Sequence, residues 1–160
     1  LAIGGYITTY QAITESYDGT SWTEVNDLST ARGTLASAGT YTSALAFGGQ
    51  GTAITGVTES WNGTNWTEVN DLNTARKGLA GAGTDNEGVI AIGGENPSTD
   101  VANVESWNGT NWTEVNDLNN ARKFLATGGD ETNALASIWF RRRRTIYCCI
   151  SFWWRTRNKK

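Results

Sequence analysis

The stretch "ESWNGTNWTEVNDLN" at residues 59–73 recurs letter for letter at residues 105–119, and a close copy, "ESYDGTSWTEVNDLS", fills residues 15–29. Each copy places Asn-Gly or Asp-Gly between two runs of β-forming residues. That dipeptide is a strong short-range hairpin signal, because both central residues of a type I′ turn take positive φ. Two registers are open. A two-residue turn pairs Trp61 with Thr64 and Glu59 with Trp66. A four-residue loop pairs Trp61 with Trp66 and sets Glu59 opposite Glu68. Like charges directly opposite each other are unfavourable, so the two-residue turn is the expectation. Either register puts both tryptophans on one face. Each Trp buries about 150–250 Å², worth an upper estimate of about 4–6 kcal/mol. Packing between repeats is therefore their expected role, with carbohydrate stacking as the alternative.

Other markers run in step with the hairpin. Trp22, Trp66 and Trp112 are spaced by 44 and 46 residues. An apolar run closed by two glycines reads "LAIGG" at 1–5, "LAFGG" at 45–49 and "IAIGG" at 90–94, and "AR" recurs at Arg32, Arg76 and Arg122. A unit of about 45 residues suits four short strands. In one unit the expected strands are 79–83, 88–92, 103–107 and 110–115, with a variable loop at 95–101. The glycines and β-formers leave no helical stripe.

The double glycine, the run "TESYDGTSWTEV" and the Arg that follows resemble the kelch repeat. The resemblance covers residues 1 to about 136. It implies an all-β chain, an incomplete kelch-like β-propeller of four-stranded antiparallel blades: a partial blade at 1–28, blades at 29–72 and 73–118, and the start of a further blade at 119–136; residues 137–160, outside the resemblance, read as an aberrant basic tail that is not part of the fold. The chain holds fewer blades than kelch propellers close with, and its Tyr/Trp-to-Trp interval of five is shorter than usual. "SYDGTSWT" also resembles the Asp-box of sialidase-like propellers. In that motif a residue separates Asp from Gly, whereas Asp18 and Gly19 are adjacent and the other two copies carry Asn.

Composition narrows the function classes. The chain has 160 residues, no His and no Met. Without Met, Leu1 reads as a cut end and the chain as a fragment of a longer repeat protein. Without His, the commonest general base and metal ligand is missing. Kelch-type galactose oxidases, which the repeat resembles, bind copper through Tyr and His, so that activity is not expected here. Cys148 and Cys149 are adjacent and match neither a disulfide framework nor a zinc spacing. No nucleophile–base set and no phosphate cradle is evident. No catalytic residue, cofactor-binding residue or metal ligand is therefore assigned. Residues 1–136 carry 16 acids and five bases, a net −11, which argues against nucleic acid as a partner. No run is long and apolar enough to cross a membrane. Few Lys, no Met and no Cys before the tail suit an extracellular or particle-surface setting.

Residues found in every copy are needed by every copy. Glu15, Glu59 and Glu105, Asp27, Asp71 and Asp117, and the three Arg are accordingly read as structural, with the Arg bridging to a carboxylate or capping backbone carbonyls. Function is expected in the loops that vary: Tyr41, Gln50, Asp85, Glu87, Glu95, Asn96 and Asp100 are the candidate binding residues. The expected function is a non-enzymatic binding or structural module that presents these loops to a protein or glycan, beside further blades of the same longer chain. The alternative is a fragment of a propeller oxidase or glycan hydrolase whose catalytic residues lie in missing blades. Four N-glycosylation sequons begin at Asn62, Asn65, Asn108 and Asn111; they read more simply as turn and strand residues.

Residues 137–160 hold eight bases and no acid. The third copy writes "ALA" at 134–136 and then departs from the "ALAFGG" of 44–49. Shifted by one nucleotide, Ile-Trp can read Phe-Gly, and an Arg run can read as Gly. The run "YCCISFWWR" at 147–155 can read Thr-Ala-Ala-Leu-Ala-Phe-Gly-Gly-Gly, which returns the missing strand. A frameshifted translation from about Ser137 is the expectation. A basic-aromatic arm for nucleic acid or an anionic membrane is the alternative.

Overall fold

Antiparallel hairpins joined end to end build the chain. The computed structural model describes the backbone of residues 1–142 and 145–148 and the side chains of residues 1–137. It is all-β, and no helix occurs among the described residues. The first sheet holds β1 (Ala2–Tyr6), β2 (Tyr10–Tyr17) and β3 (Trp22–Val25). The second holds β4 (Ala36–Gly39), β5 (Ala44–Phe47), β6 (Thr58–Trp61) and β7 (Trp66–Val69). The third repeats that order with β8 (Ala80–Gly83), β9 (Val89–Ile92), β10 (Val104–Trp107) and β11 (Trp112–Glu114). The fourth holds β12 (Leu125–Gly129), β13 (Ala134–Arg142) and β14 (Thr145–Cys148). Every pairing is antiparallel between chain neighbours, so each sheet is a meander, the arrangement of a propeller blade.

The sheets stack in sequence, with β4 against β8 and β8 against β12. Stacking explains the burial pattern. Strand β5 is buried at all four positions because sheets cover both of its faces. Leu45, Phe47, Leu72, Leu79, Val89, Ala91, Trp107 and Trp112 form one core cluster between the second and third sheets. Strand β8 reads "AGAG" because it lies close to the second sheet. A Cβ on Gly81 would meet the ring of Phe47 at 2.6 Å and the Ser37 carbonyl at 3.0 Å.

The hairpin register corrects the expectation. Trp61 pairs with Trp66 and Glu59 with Glu68; the first and third sheets repeat this, with Tyr17 opposite Trp22 and Trp107 opposite Trp112. Three physical reasons favour the four-residue loop. Asn62 is not among the positive-φ residues, as a type I′ turn requires, while Gly63 is, at +93°. The Asn62 side chain instead accepts from the Thr64 and Asn65 amides at 3.0 and 2.9 Å, an Asx turn. Glu59 is buried against a cation, Arg32, so its charge is neutralised before Glu68 is met.

Strand β13 runs across the boundary expected at residue 137. It pairs with β12 in the register that β5 makes with β4: Gly129 faces Ala134 as Gly39 faces Ala44, and Ala126 faces Ser137 as Ala36 faces Phe47. Ile138 and Trp139 thus stand where Gly48 and Gly49 stand. Most of the run 147–155 lies outside the described residues.

Candidate functional site

The repeated residues meet at the junctions between sheets. Where β3 leads toward β4, the backbone of Arg32 binds the first sheet: its amide donates to the Gln11 carbonyl and its carbonyl accepts from the Gly5 amide, at 3.0 and 2.9 Å. Its side chain reaches into the second sheet, to Glu59 at 2.5 Å and the Ala46 carbonyl at 3.4 Å. Arg76 repeats this one sheet on. Its carbonyl accepts from Gly49, and its guanidinium donates to Glu105 and to the Thr74 and Gly93 carbonyls. Arg32, Arg76 and Glu59 are fully buried and Glu105 nearly so.

This explains why the double glycine and the Arg travel together. Gly48 has φ +65°, and a Cβ there would lie 2.6 Å from the Arg76 carbonyl; Gly4 and Gly93 show the same approach to Arg32 and Arg122. Only glycine tolerates both the positive φ and that contact.

The other recurrent residues serve the junctions or brace their own sheet. Trp66 Nε1 donates to Thr14 Oγ1 of the preceding sheet, and Trp112 Nε1 to Thr58 Oγ1, both at 3.1 Å. Asn26 and Asn70 reach the hairpin loops of the sheets that follow, at Thr64 and Asn65 and at Thr110 and Asn111. Asp27, Asp71 and Asp117 accept from the backbone amides of Thr14, Thr58 and Val104 in their own sheets. The terminal repeats have half of the set. Glu15 is exposed. Arg122 is half-buried, donates to the Asn120 carbonyl, and has no carboxylate partner among the described residues.

The variable loops fall into two groups, because successive turns of a meander lie at opposite ends of the sheet. Tyr41, Asp85 and Glu87 occupy the loops between β4 and β5 and between β8 and β9. Tyr41 projects with 66% exposure, while its carbonyl accepts from Trp61 Nε1 at 2.9 Å. Asp85 accepts from the Glu87 and Gly88 amides, so its carboxylate closes a turn. Glu87 is exposed.

Gln50, Glu95, Asn96 and Asp100 lie at the other end, in the loops between β5 and β6 and between β9 and β10. Here the side chains form a network. Lys77 donates to Gln50 Oε1 at 2.5 Å and lies 3.2 Å from Glu95, and Lys123 pairs with Glu95 and with Asp100. The Lys123 hydrogen bond, aided by Lys77, holds the Glu95 carboxyl below its usual range. Glu95 and Asp100 in turn raise Lys123. Asn96 closes a turn on the Ser98 and Thr99 amides.

Sequence reasoning missed Asn86. Its side chain donates to Ser60 Oγ and the Trp61 carbonyl and accepts from Ser43 Oγ, while its carbonyl takes Trp107 Nε1. It clamps the third sheet to the second from within a variable loop, and no repeat marks it. Lys77 and Lys123, which cross-link the second group, were likewise not singled out as site residues.

Among the described residues no group of three His, Cys, Asp or Glu side chains is placed to hold a metal ion. No family model matches the chain, and the comparison with curated proteins finds no match.

Proposed function

We propose that the sheets are blades of a kelch-type repeat and that the chain is a non-enzymatic recognition module, part of a longer repeat array, which offers its variable loops to a protein or glycan ligand. One observation carries this reading. The residues common to the copies bond within and between sheets, while Tyr41 and Glu87 stand exposed at the loop ends that differ, with the half-buried Asn96 and Asp100 at the opposite end. Near-identity of the hairpin copies supports duplication within an array. The kelch reading draws support from the pairing of the double glycine with the Arg of the next unit.

The test is a panel of immobilised oligosaccharides and extracellular proteins probed with the chain. Tyr41→Ala with Glu87→Ala is expected to abolish a bound signal without lowering Tm; if the opposite end is used, Asn96→Ala with Asp100→Ala abolishes it and also lowers Tm, because those side chains close a turn and pair with Lys123. A signal unmoved by both pairs, or turnover of a bound glycan, would contradict the proposal.

Residues from about Ser137 onward are proposed to be a frameshifted translation. The register supports this: Ser137 takes the place of buried Phe47, and Ile138 and Trp139 take the places of glycines that need positive φ. Sequencing the DNA across codons 130–160 decides it, since the next frame should spell the missing "FGG".

A further inference from the structure

The hairpin turns of the two internal sheets each hold a chemically reactive pair. Asn62-Gly63 and Asn108-Gly109 are the two Asn-Gly pairs of the sequence. Both lie in exposed loops, between β6 and β7 and between β10 and β11. Gly63 and Gly109 have φ of +93° and +86°. With no side chain, neither glycine shields its own amide.

The two loops are bonded alike. Asn62 Oδ1 accepts from the Thr64 and Asn65 amides at 3.0 and 2.9 Å. Asn108 Oδ1 accepts from the Thr110 and Asn111 amides at the same distances, 3.0 and 2.9 Å. Two donors on one oxygen polarise the side-chain carbonyl and stabilise negative charge that develops on it. The Gly63 and Gly109 N–H groups, and the Asn62 and Asn108 Nδ2 groups, have no hydrogen-bond partner among the described residues. A polarised electrophile, a neighbouring nucleophile and a free leaving group therefore stand together in each loop.

Two other Asx turns show what sets these apart. Asn96 Oδ1 accepts from the Ser98 and Thr99 amides at 2.9 and 3.0 Å, but Pro97 follows it. Proline has no N–H to give up. Asp18 of the first hairpin accepts from Thr20 and Ser21 at 2.8 and 2.9 Å. The Ser21 and Thr20 amides hold its carboxyl below the usual carboxylate range, so it is charged and a poor electrophile. Its turn also shows that the loop accepts an aspartate.

We propose that Asn62 and Asn108 are self-modification sites, which convert to aspartate and iso-aspartate within the folded chain. Gly63 N bonds to Asn62 Cγ, the Cγ–Nδ2 bond breaks, and ammonia leaves with the proton of the glycine amide. Water then opens the cyclic imide at one carbonyl or the other. The α-aspartyl product keeps the loop that Asp18 makes. The iso-aspartyl product carries an extra methylene in the main chain and loses the Asx turn. Either product adds a negative charge beside the variable loops. A Cβ on Gly63 would lie 3.3 Å from the Thr42 carbonyl, and one on Gly109 3.7 Å from Glu87. The reaction thus changes the charge of the end at which Tyr41 and Glu87 project.

Peptide mapping by mass spectrometry, on the full chain aged in mildly alkaline buffer with and without urea, tests this. In the folded chain Asn62 and Asn108 should lose their amides, with one ammonia released per site, and should become substrates for an isoaspartyl methyltransferase. Asn96 should stay intact. Asn62→Asp should halve the ammonia released, and adding Asn108→Asp should abolish it, with circular dichroism and Tm unchanged. Should a variant fail to fold, the map of the unmutated chain still decides. Conversion confined to the urea-unfolded chain overturns the proposal. So does conversion of Asn96 as fast as that of the Asn-Gly pairs.

Discussion

At the residue scale, backbone geometry and charge account for the recurrent letters. Gly48 and Gly19 both have positive φ, yet their surroundings differ: a Cβ on Gly48 would press on the Arg76 carbonyl, while nothing lies within 4 Å of one on Gly19. Gly19→Ala should cost about 1–2 kcal/mol from φ alone. Gly48→Ala should cost more and lower Tm further, since each kcal/mol is worth roughly 2–4 °C at this length. Equal losses in urea denaturation would show that the close approach is unimportant. Glu95 makes a pH prediction. Its pKa is lowered in the folded chain, chiefly by the Lys123 hydrogen bond. A lowered folded value gives stability that is present above the unfolded pKa and lost as pH falls through the folded one. Carbon-detected NMR titration should place Glu95 below the ordinary value of 4.5, and Lys123→Ala should move it up. An unchanged titration in that variant would dismiss the network.

At the scale of the elements, the hairpin was legible and its register was not. The repeat period, the strand runs and the shared tryptophan face follow from spacing and β propensity, which are local. The register turned on Glu59, whose neutralising partner Arg32 lies 27 residues upstream; a rule about adjacent charges cannot see a cation brought in by the fold. The candidate loop residues met the same limit. Their variability was visible, but alternation of loop ends parts Tyr41, Asp85 and Glu87 from Gln50, Glu95, Asn96 and Asp100. Asn86 carried no signal, because its partners Ser43 and Ser60 belong to another sheet. The observed register predicts a direct coupling between Trp61 and Trp66, whose rings lie 5.2 Å apart. A double-mutant cycle to Leu should give about 0.5–1.5 kcal/mol. Additive losses would instead favour the two-residue turn.

At the scale of the molecule, the stack is held by one residue type placed at each connection. Arg76 gives its carbonyl to the second sheet, through Gly49, and its guanidinium to Glu105 of the third. Removing one partner of a buried pair strands the other charge, at a cost of about 3–5 kcal/mol, whereas replacing both with apolar side chains of similar volume is often neutral. The recurrence of Glu and Arg in every copy thus reports how sheets are joined, which is the central claim. The most direct measurement is urea unfolding of Arg76→Met, Glu105→Leu and the double variant. Each single change should destabilise strongly, and the double variant should recover most of the loss. If the two single losses simply add, or if neither change lowers stability, Arg76 and Glu105 do not tie the sheets and the account fails.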